Sequence, residues 1–180
     1  MNIGAGTVLI MGSLAGLVSA ASYFDCRWRR IPNLITFGGM FCGVLLHTAV
    51  GGLDSSLFAL AGCGVGFACL LPGYVLGQAG AGDVKLLGAV GTFLGPFSTL
   101  IAGATSLMAG AIMALCVACF AGGNRPWERY TTMFQHFWVT GRVLYQPPVE
   151  GEVMSLKFPF APAIAIGAVT GAWYTLIQLF

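Results

Sequence analysis

Asp25 and Asp83 are the residues of this chain best placed to do chemistry, because each adjoins a long apolar segment. An aspartate at the centre of a membrane helix costs ~2.5–3.5 kcal/mol on insertion scales, and less near an interface. Ionisable groups kept in such places are therefore candidates for function. Two carboxylates brought close together cannot both ionise cheaply, so one keeps a proton. The protonated one can act as general acid while the other, as base, activates water against a peptide carbonyl. That is aspartic-protease chemistry, and it requires no metal, no nucleophilic serine and no cofactor. The local alternative is that Asp83 caps the start of its helix and Asp25 ends its own, each within reach of water.

The other four acidic residues read as solvated. Asp54 follows Gly-Gly-Leu in a short turn, where aspartate bonds its own backbone. Glu128 falls on a surface segment, and Glu150 and Glu152 fall in a loop containing proline and glycine. Around Asp83 the chain reads "AGAGDVKLLG", residues 79–88. Gly80 and Gly82 allow backbone angles barred to other residues and a close approach to the carboxylate. Nucleotide binding has neither a G-x-x-x-x-G-K-[ST] loop nor a strand-bounded G-x-G-x-x-G to support it.

The elements that must hold these residues are membrane helices. Of the 180 residues 57% are hydrophobic and only 8% charged, and the mean hydropathy is +0.86, outside the range of a soluble domain. Strands of alternating polarity, as in a barrel, are absent. The pattern predicts an all-α polytopic membrane bundle of about six transmembrane helices in one domain, residues 1–180. The segments are Gly4 to Phe24, Leu34 to Val50, Leu57 to Gly77, Asp83 to Leu94, Phe97 to Phe120 and Phe160 to Phe180. The fourth reaches only ~18 Å, short of a ~30 Å hydrocarbon core, so it is either re-entrant or accommodated by local thinning.

Charge placement favours spanning. The eight basic residues fall at Arg27, Arg29 and Arg30, at Lys85, and at Arg125, Arg129, Arg142 and Lys157. If all six segments cross, those three places share one side, and the connections near 51–56 and 95–96 carry no Lys or Arg. The positive-inside rule makes the basic side cytoplasmic, with both termini outside and both aspartates on the cytoplasmic face. The first segment has its positive charges after it rather than before it, as an anchoring helix does and a cleaved signal peptide does not. Ser19 to Ser22 imitate a cleavage site in composition.

Four further features have quieter readings. Cys26, Cys42, Cys63, Cys69, Cys116 and Cys119 include one C-x-x-C inside an apolar helix; with no second pair they read as buried thiols, and no metal site is expected. Gly12 with Gly16, and Gly73 with Gly77, have the small-xxx-small spacing of close helix packing. In the long connection, Trp127, Tyr130, Phe134, Phe137 and Trp138 recur at helical spacing opposite Glu128, Arg129 and Gln135. They describe a cytoplasmic amphipathic segment, serving as an aromatic belt or as a docking surface for a membrane-bound substrate. His47 and His136 are isolated and read as non-catalytic.

Three stretches resemble one family. "GAGDVKLLG" is similar to the Gly-x-Gly-Asp motif of the type IV prepilin peptidases. "DCRWRRIPN", residues 25–33, resembles their first-aspartate motif, with Ile-Pro-Asn six residues after the aspartate. "PFAPAIAIG", Pro159 to Gly167, is similar to the start of their C-terminal helix. The resemblance implies that Asp25 and Asp83 are the catalytic pair. It also implies that Gly80 and Gly82 shape the active loop, and Lys85, Pro32, Asn33, Pro159 and Pro162 are further candidates for a substrate-binding or active-loop role. Lys85 either tunes the Asp83 charge or snorkels to the interface. Pro32 and Asn33 set the entry of the second helix, with Asn33 as its cap.

The implied activity is removal of the short basic leader from pilin precursors at the cytoplasmic membrane face, with a prepilin or pseudopilin and the bilayer as partners and no nucleic acid. Longer members carry a cytoplasmic insertion with paired C-x-x-C before the first aspartate motif and also methylate the new N-terminus. Here Phe24 runs directly into Asp25, so the expectation is cleavage without methylation, as in the compact peptidases of Flp (Tad) pilus systems. Presenilin-type proteases place Tyr-Asp on the preceding helix, unlike this chain; archaeal preflagellin peptidases are similar to it. The rival class is a small transporter in which the same two aspartates relay protons or bind a cation. A structural pilus-assembly subunit is a third class, although a degenerate relative would have lost one aspartate.

Overall fold

The computed structural model describes residues 3–76, 79–120, 135–136, 138–140 and 159–179. Every element among them is an α-helix: α1 (Ile3–Trp28), α2 (Asn33–Val75), α3 (Ala81–Leu94), α4 (Pro96–Phe120) and α5 (Ala161–Leu179). The chain forms two compact units, residues 1–110 with 159–180, and residues 111–158. The first unit contains both aspartates.

Among the described residues three helices, α1, α2 and α4, are long and apolar enough to cross a membrane, fewer than the six spans expected. One reason is that α2 takes in two expected segments: its 43 residues run through a kink at Gly51 and Gly52, where φ at Gly52 is 69°. Only glycine adopts that angle without strain, so the break is written in the residue type. Each arm remains helical, and the one before the kink extends ~27 Å. The second reason is α3, whose 14 residues reach ~21 Å, and the other expected span outside the three is α5, of 19 residues. Gly95, with φ 77°, separates α3 from α4. The amphipathic segment expected from Trp127 to Trp138 lies almost wholly outside the described residues, as do Glu128, Glu150, Glu152 and the basic residues from Arg125 onward. The side chain of Cys119 is also outside them. The other five cysteines are free thiols, but not the buried ones expected: Cys26, Cys42 and Cys116 are exposed and Cys63 and Cys69 half-buried.

Helix α3 is the centre of the first unit. From Leu86 through Leu94 every residue is buried. Its closest partner is α2, and glycine makes the approach possible. A Cβ on Gly62 would run into the Gly91 carbonyl and one on Gly91 into the Gly62 carbonyl, while one on Gly66 would strike the Leu87 carbonyl. Backbones touch here as they do where membrane helices associate through small residues. Gly12 and Gly16, expected to pack, have open space around them. The buried stripe of α1 is Ile10, Leu14, Leu17, Val18, Ala21 and Asp25, and at 100° per residue Gly12 and Gly16 fall on the opposite side. For Gly73 the close neighbour is Ala79.

The outside of the unit is apolar. Val8, Leu34 and Trp173 are 71%, 85% and 68% exposed, the surface that lipid covers in a membrane protein. The inside holds fully buried hydroxyls, among them Thr36, Thr92, Thr99 and Ser106. Each donates to a carbonyl three or four residues back in the chain, which satisfies it without water. Thr105 with Thr170 (2.7 Å) and Thr175 with Ser98 (2.8 Å) join α4 to α5.

Candidate active site

Asp25 lies on the last turns of α1, because the helix continues to Trp28 instead of stopping at Phe24. Its end is set by Arg29, whose φ of 52° turns the chain and whose N–H donates to the Asp25 carbonyl at 2.8 Å. As the terminal member of the buried stripe, Asp25 is only 7% exposed. A carboxylate this deep needs a donor. The donor is the backbone N–H of Ala161, 2.9 Å from Asp25 Oδ2, at the first position of α5. Asp25 therefore caps a helix in another part of the chain, where the positive end of the dipole favours an anion.

The proline pattern around that helix start has a use. Pro162 falls in the first turn, where a missing N–H removes nothing the helix needs. Phe160 takes the next donors, from Ala163 at 3.0 Å and Ile164 at 3.2 Å. Ala161 is thus the first-turn N–H available to a side chain from elsewhere. Pro159 and Phe160 precede the helix.

Asp83 occupies the third position of α3. Its Oδ2 accepts the Gly80 N–H at 3.2 Å, the return half of a capping box. The local reading of Asp83 as a cap therefore holds, and it does not exclude a further role. Asp25 and Asp83, far apart in sequence, lie within electrostatic reach of one another. Each carboxylate accepts from a backbone N–H at a helix N-terminus, Asp25 at that of α5 and Asp83 at that of its own helix.

Gly80 has φ −78° and ψ 148°, and the glycines of positive φ among the described residues are Gly52 and Gly95. Gly80 and Gly82 thus serve through their size and not through unusual backbone angles. A Cβ on Gly80 would come within 3.0 Å of Asp83 Oδ2, and one on Gly82 would lie 3.5 Å from Ile31 Cβ. Ile31 packs over Gly82, so the Ile-Pro-Asn stretch rests directly on the glycine–aspartate turn.

Asn33 completes that junction in an unexpected way. It opens α2 behind Pro32, and no side chain caps that helix. Instead, Asn33 Oδ1 accepts from Lys85 Nζ at 3.0 Å, and the ammonium lies 5.2 Å from the centre of the Phe37 ring. Lys85 is tied across to α2 rather than extended alone to the interface. Around the same turn of α1 the rings of Tyr23, Phe24 and Trp28 pack on one another at 5.0–5.9 Å, with Arg27 over Trp28. Such clusters mark the level of a membrane–water interface.

The three stretches singled out from sequence therefore converge: Asp25 with Ala161, Ile31 with Gly82, and Asn33 with Lys85. Asp54 is exposed beyond the kink of α2 and takes no part. His136 is exposed in the second unit. His47 has a structural task, donating from Nε2 to the Phe93 carbonyl at 3.1 Å in the last turn of α3. Sequence reasoning missed the Ala161 N–H, although a proline in the first turn of an apolar helix was a signal that a free donor lay beside it. Among the described residues no group of three His, Cys, Asp or Glu side chains could hold a metal ion.

Residues 12–123, more than half of the chain, match the sequence profile of the type IV leader peptidase family. The matched span holds both aspartates and ends before α5, which the Asp25–Ala161 bond ties to it. No curated protein and no solved structure matches the chain.

Proposed function

The chain belongs to the type IV leader peptidase family, and from that premise we propose that it is a membrane-embedded aspartic endopeptidase with Asp25 and Asp83 as its catalytic pair. The observation that supports this reading is that carboxylates from α1 and α3 lie within electrostatic reach of one another, each accepting from a backbone N–H at a helix N-terminus. One carboxylate, ionised, takes a proton from water as the water oxygen adds to the scissile carbonyl carbon. The other, protonated, gives its proton to the carbonyl oxygen. Collapse of the tetrahedral diol breaks the C–N bond as one of its hydroxyls returns a proton to the second carboxylate, and the proton held by the base passes to the leaving amine.

The substrate class is the prepilin-like precursor, of Flp or pseudopilin type, cut between its basic leader and its apolar helix. The arginines after α1 and Lys85 after the glycine turn favour a cytoplasmic active site in a bacterial inner membrane, with both termini outside. Helix α1 runs into Asp25 with no inserted segment, which supports cleavage without methylation by a single membrane peptidase domain. Local bilayer thinning around the short α3 would let water and the leader reach Asp83.

The test is co-expression with a candidate Flp-type prepilin. Leader removal is followed by gel mobility, and the mass of the mature N-terminus is measured. Cleavage is expected from the wild type and from Asp54→Asn, lost in Asp25→Asn and Asp83→Asn, with no added methyl group. Cleavage that survives either substitution in the pair would overturn the mechanism and return the two aspartates to the transporter reading.

A further inference from the structure

Among the described residues one buried side-chain polar atom has no hydrogen-bond partner, the Ser22 hydroxyl oxygen. Hydroxyls elsewhere in these helices settle on a carbonyl of the preceding turn, as Thr48 does on Val44 and Ser106 on Ala102. A buried hydroxyl left alone is destabilising, and an orphan of this kind in a native fold has a reason. Ser22 precedes Asp25 by three residues on α1, so the two side chains share a face one turn apart. Helical side chains lean toward the N-terminus, which tips the Asp25 carboxylate toward Ser22. Ala161 occupies Asp25 Oδ2. Oδ1 is the oxygen left for a second donor.

We propose that Ser22 is a positioning residue for the aspartyl pair, its hydroxyl donating to Asp25 Oδ1 in the working enzyme, directly after rotation about χ1 or through one water. The proposal rests on the reading of Asp25 as a catalytic carboxylate. One N–H fixes one oxygen and leaves the carboxylate free to turn about its Cβ–Cγ bond. A second donor on the other oxygen sets the plane in which Asp25 faces Asp83. A hydroxyl suits this place because it both donates and accepts, so it can turn with Asp25 as the carboxylate gains and loses a proton during turnover.

The full-length protein in detergent, with a purified Flp-type prepilin, gives kcat, KM and a thermal midpoint for the wild type, Ser22→Ala, Ser22→Thr, Ser22→Cys and Asp25→Asn. The expected result for Ser22→Ala is a kcat lower by about tenfold, the low end of what misplacing a catalytic group costs. Its KM should stay unchanged and its midpoint equal or higher, since an unpaired hydroxyl has been removed. Threonine, which keeps the hydroxyl, should recover the rate, and cysteine, a weaker donor, should recover part of it. Wild-type kcat in Ser22→Ala, an effect confined to KM, or failure of both threonine and cysteine to restore any rate would overturn the proposal. If Asp25→Asn is dead while Ser22→Ala is unaffected, the role of Ser22 alone falls. If Asp25→Asn still cleaves, the aspartyl reading falls with it.

Discussion

The two ends of α3 are tied down by side chains reaching across from α2, yet they differ in kind. At the N-terminal end Asn33 holds Lys85, near a carboxylate within electrostatic reach of a second one from α1. At the C-terminal end His47 holds the Phe93 carbonyl, and Gly95 turns the chain into α4. The first end concentrates charge that a bilayer disfavours. The second satisfies a helix terminus and nothing more. Between them the helix is buried on every side and pressed backbone to backbone against α2. A short helix so constrained can hold a carboxylate at a fixed place, with its stability drawn from parts of the molecule that take no part in chemistry.

Substitutions along α3 and its two ties test that division. The largest effect is expected at Asp83→Asn, where cleavage should fall by about 10²–10⁴-fold, the range for loss of a general acid or base, with the thermal midpoint preserved. A comparable loss of midpoint would mean that Asp83 serves mainly as a cap. Next comes Gly91→Ala in the middle of the helix. Its methyl meets the Gly62 carbonyl, and overpacking of this kind costs ~1–3 kcal/mol. The midpoint should drop and activity should follow the folded fraction alone.

At the far end, His47→Ala leaves the Phe93 carbonyl without its side-chain donor. It should cost about 1–2 kcal/mol in denaturation, while kcat per folded molecule stays at the wild-type value. A selective fall in kcat there would break the distinction between the ends. The smallest effect on stability is expected from Asn33→Ala, since its bond to Lys85 is solvent-exposed and worth less than ~1 kcal/mol. Its effect on cleavage should be the larger of the two, several-fold in kcat, because the bond joins the two motifs that carry the aspartates.

Much of the site was legible as residue types at particular places. Asp25 and Asp83 stood out because carboxylates beside apolar segments are few and expensive. Ile-Pro-Asn and the glycines stood out by resemblance. Their contacts were not legible. Asn33 reads as an N-cap from its position, but it bonds Lys85 from a neighbouring helix. His47 reads as isolated because its partner is a backbone carbonyl, which has no signature in sequence. Gly12 and Gly16 have packing spacing and no packing, while Gly62 and Gly91, on different helices, interlock. Spacing within one helix says which residues share a face, and only the neighbouring helix decides whether that face is used.

The sequence by itself determined the apolar lengths, the connections near 51–56 and 95–96, the class of fold and the two carboxylates, because these follow from transfer free energies that each residue carries with it. Tertiary structure alone decided that α3 is buried from Leu86 through Leu94, that Ala161 supplies the N–H to Asp25, and that the two aspartates come within electrostatic reach of one another. Those outcomes depend on the register at which helices from distant parts of the chain come into contact, and that register is set jointly by all the surfaces that must close at once.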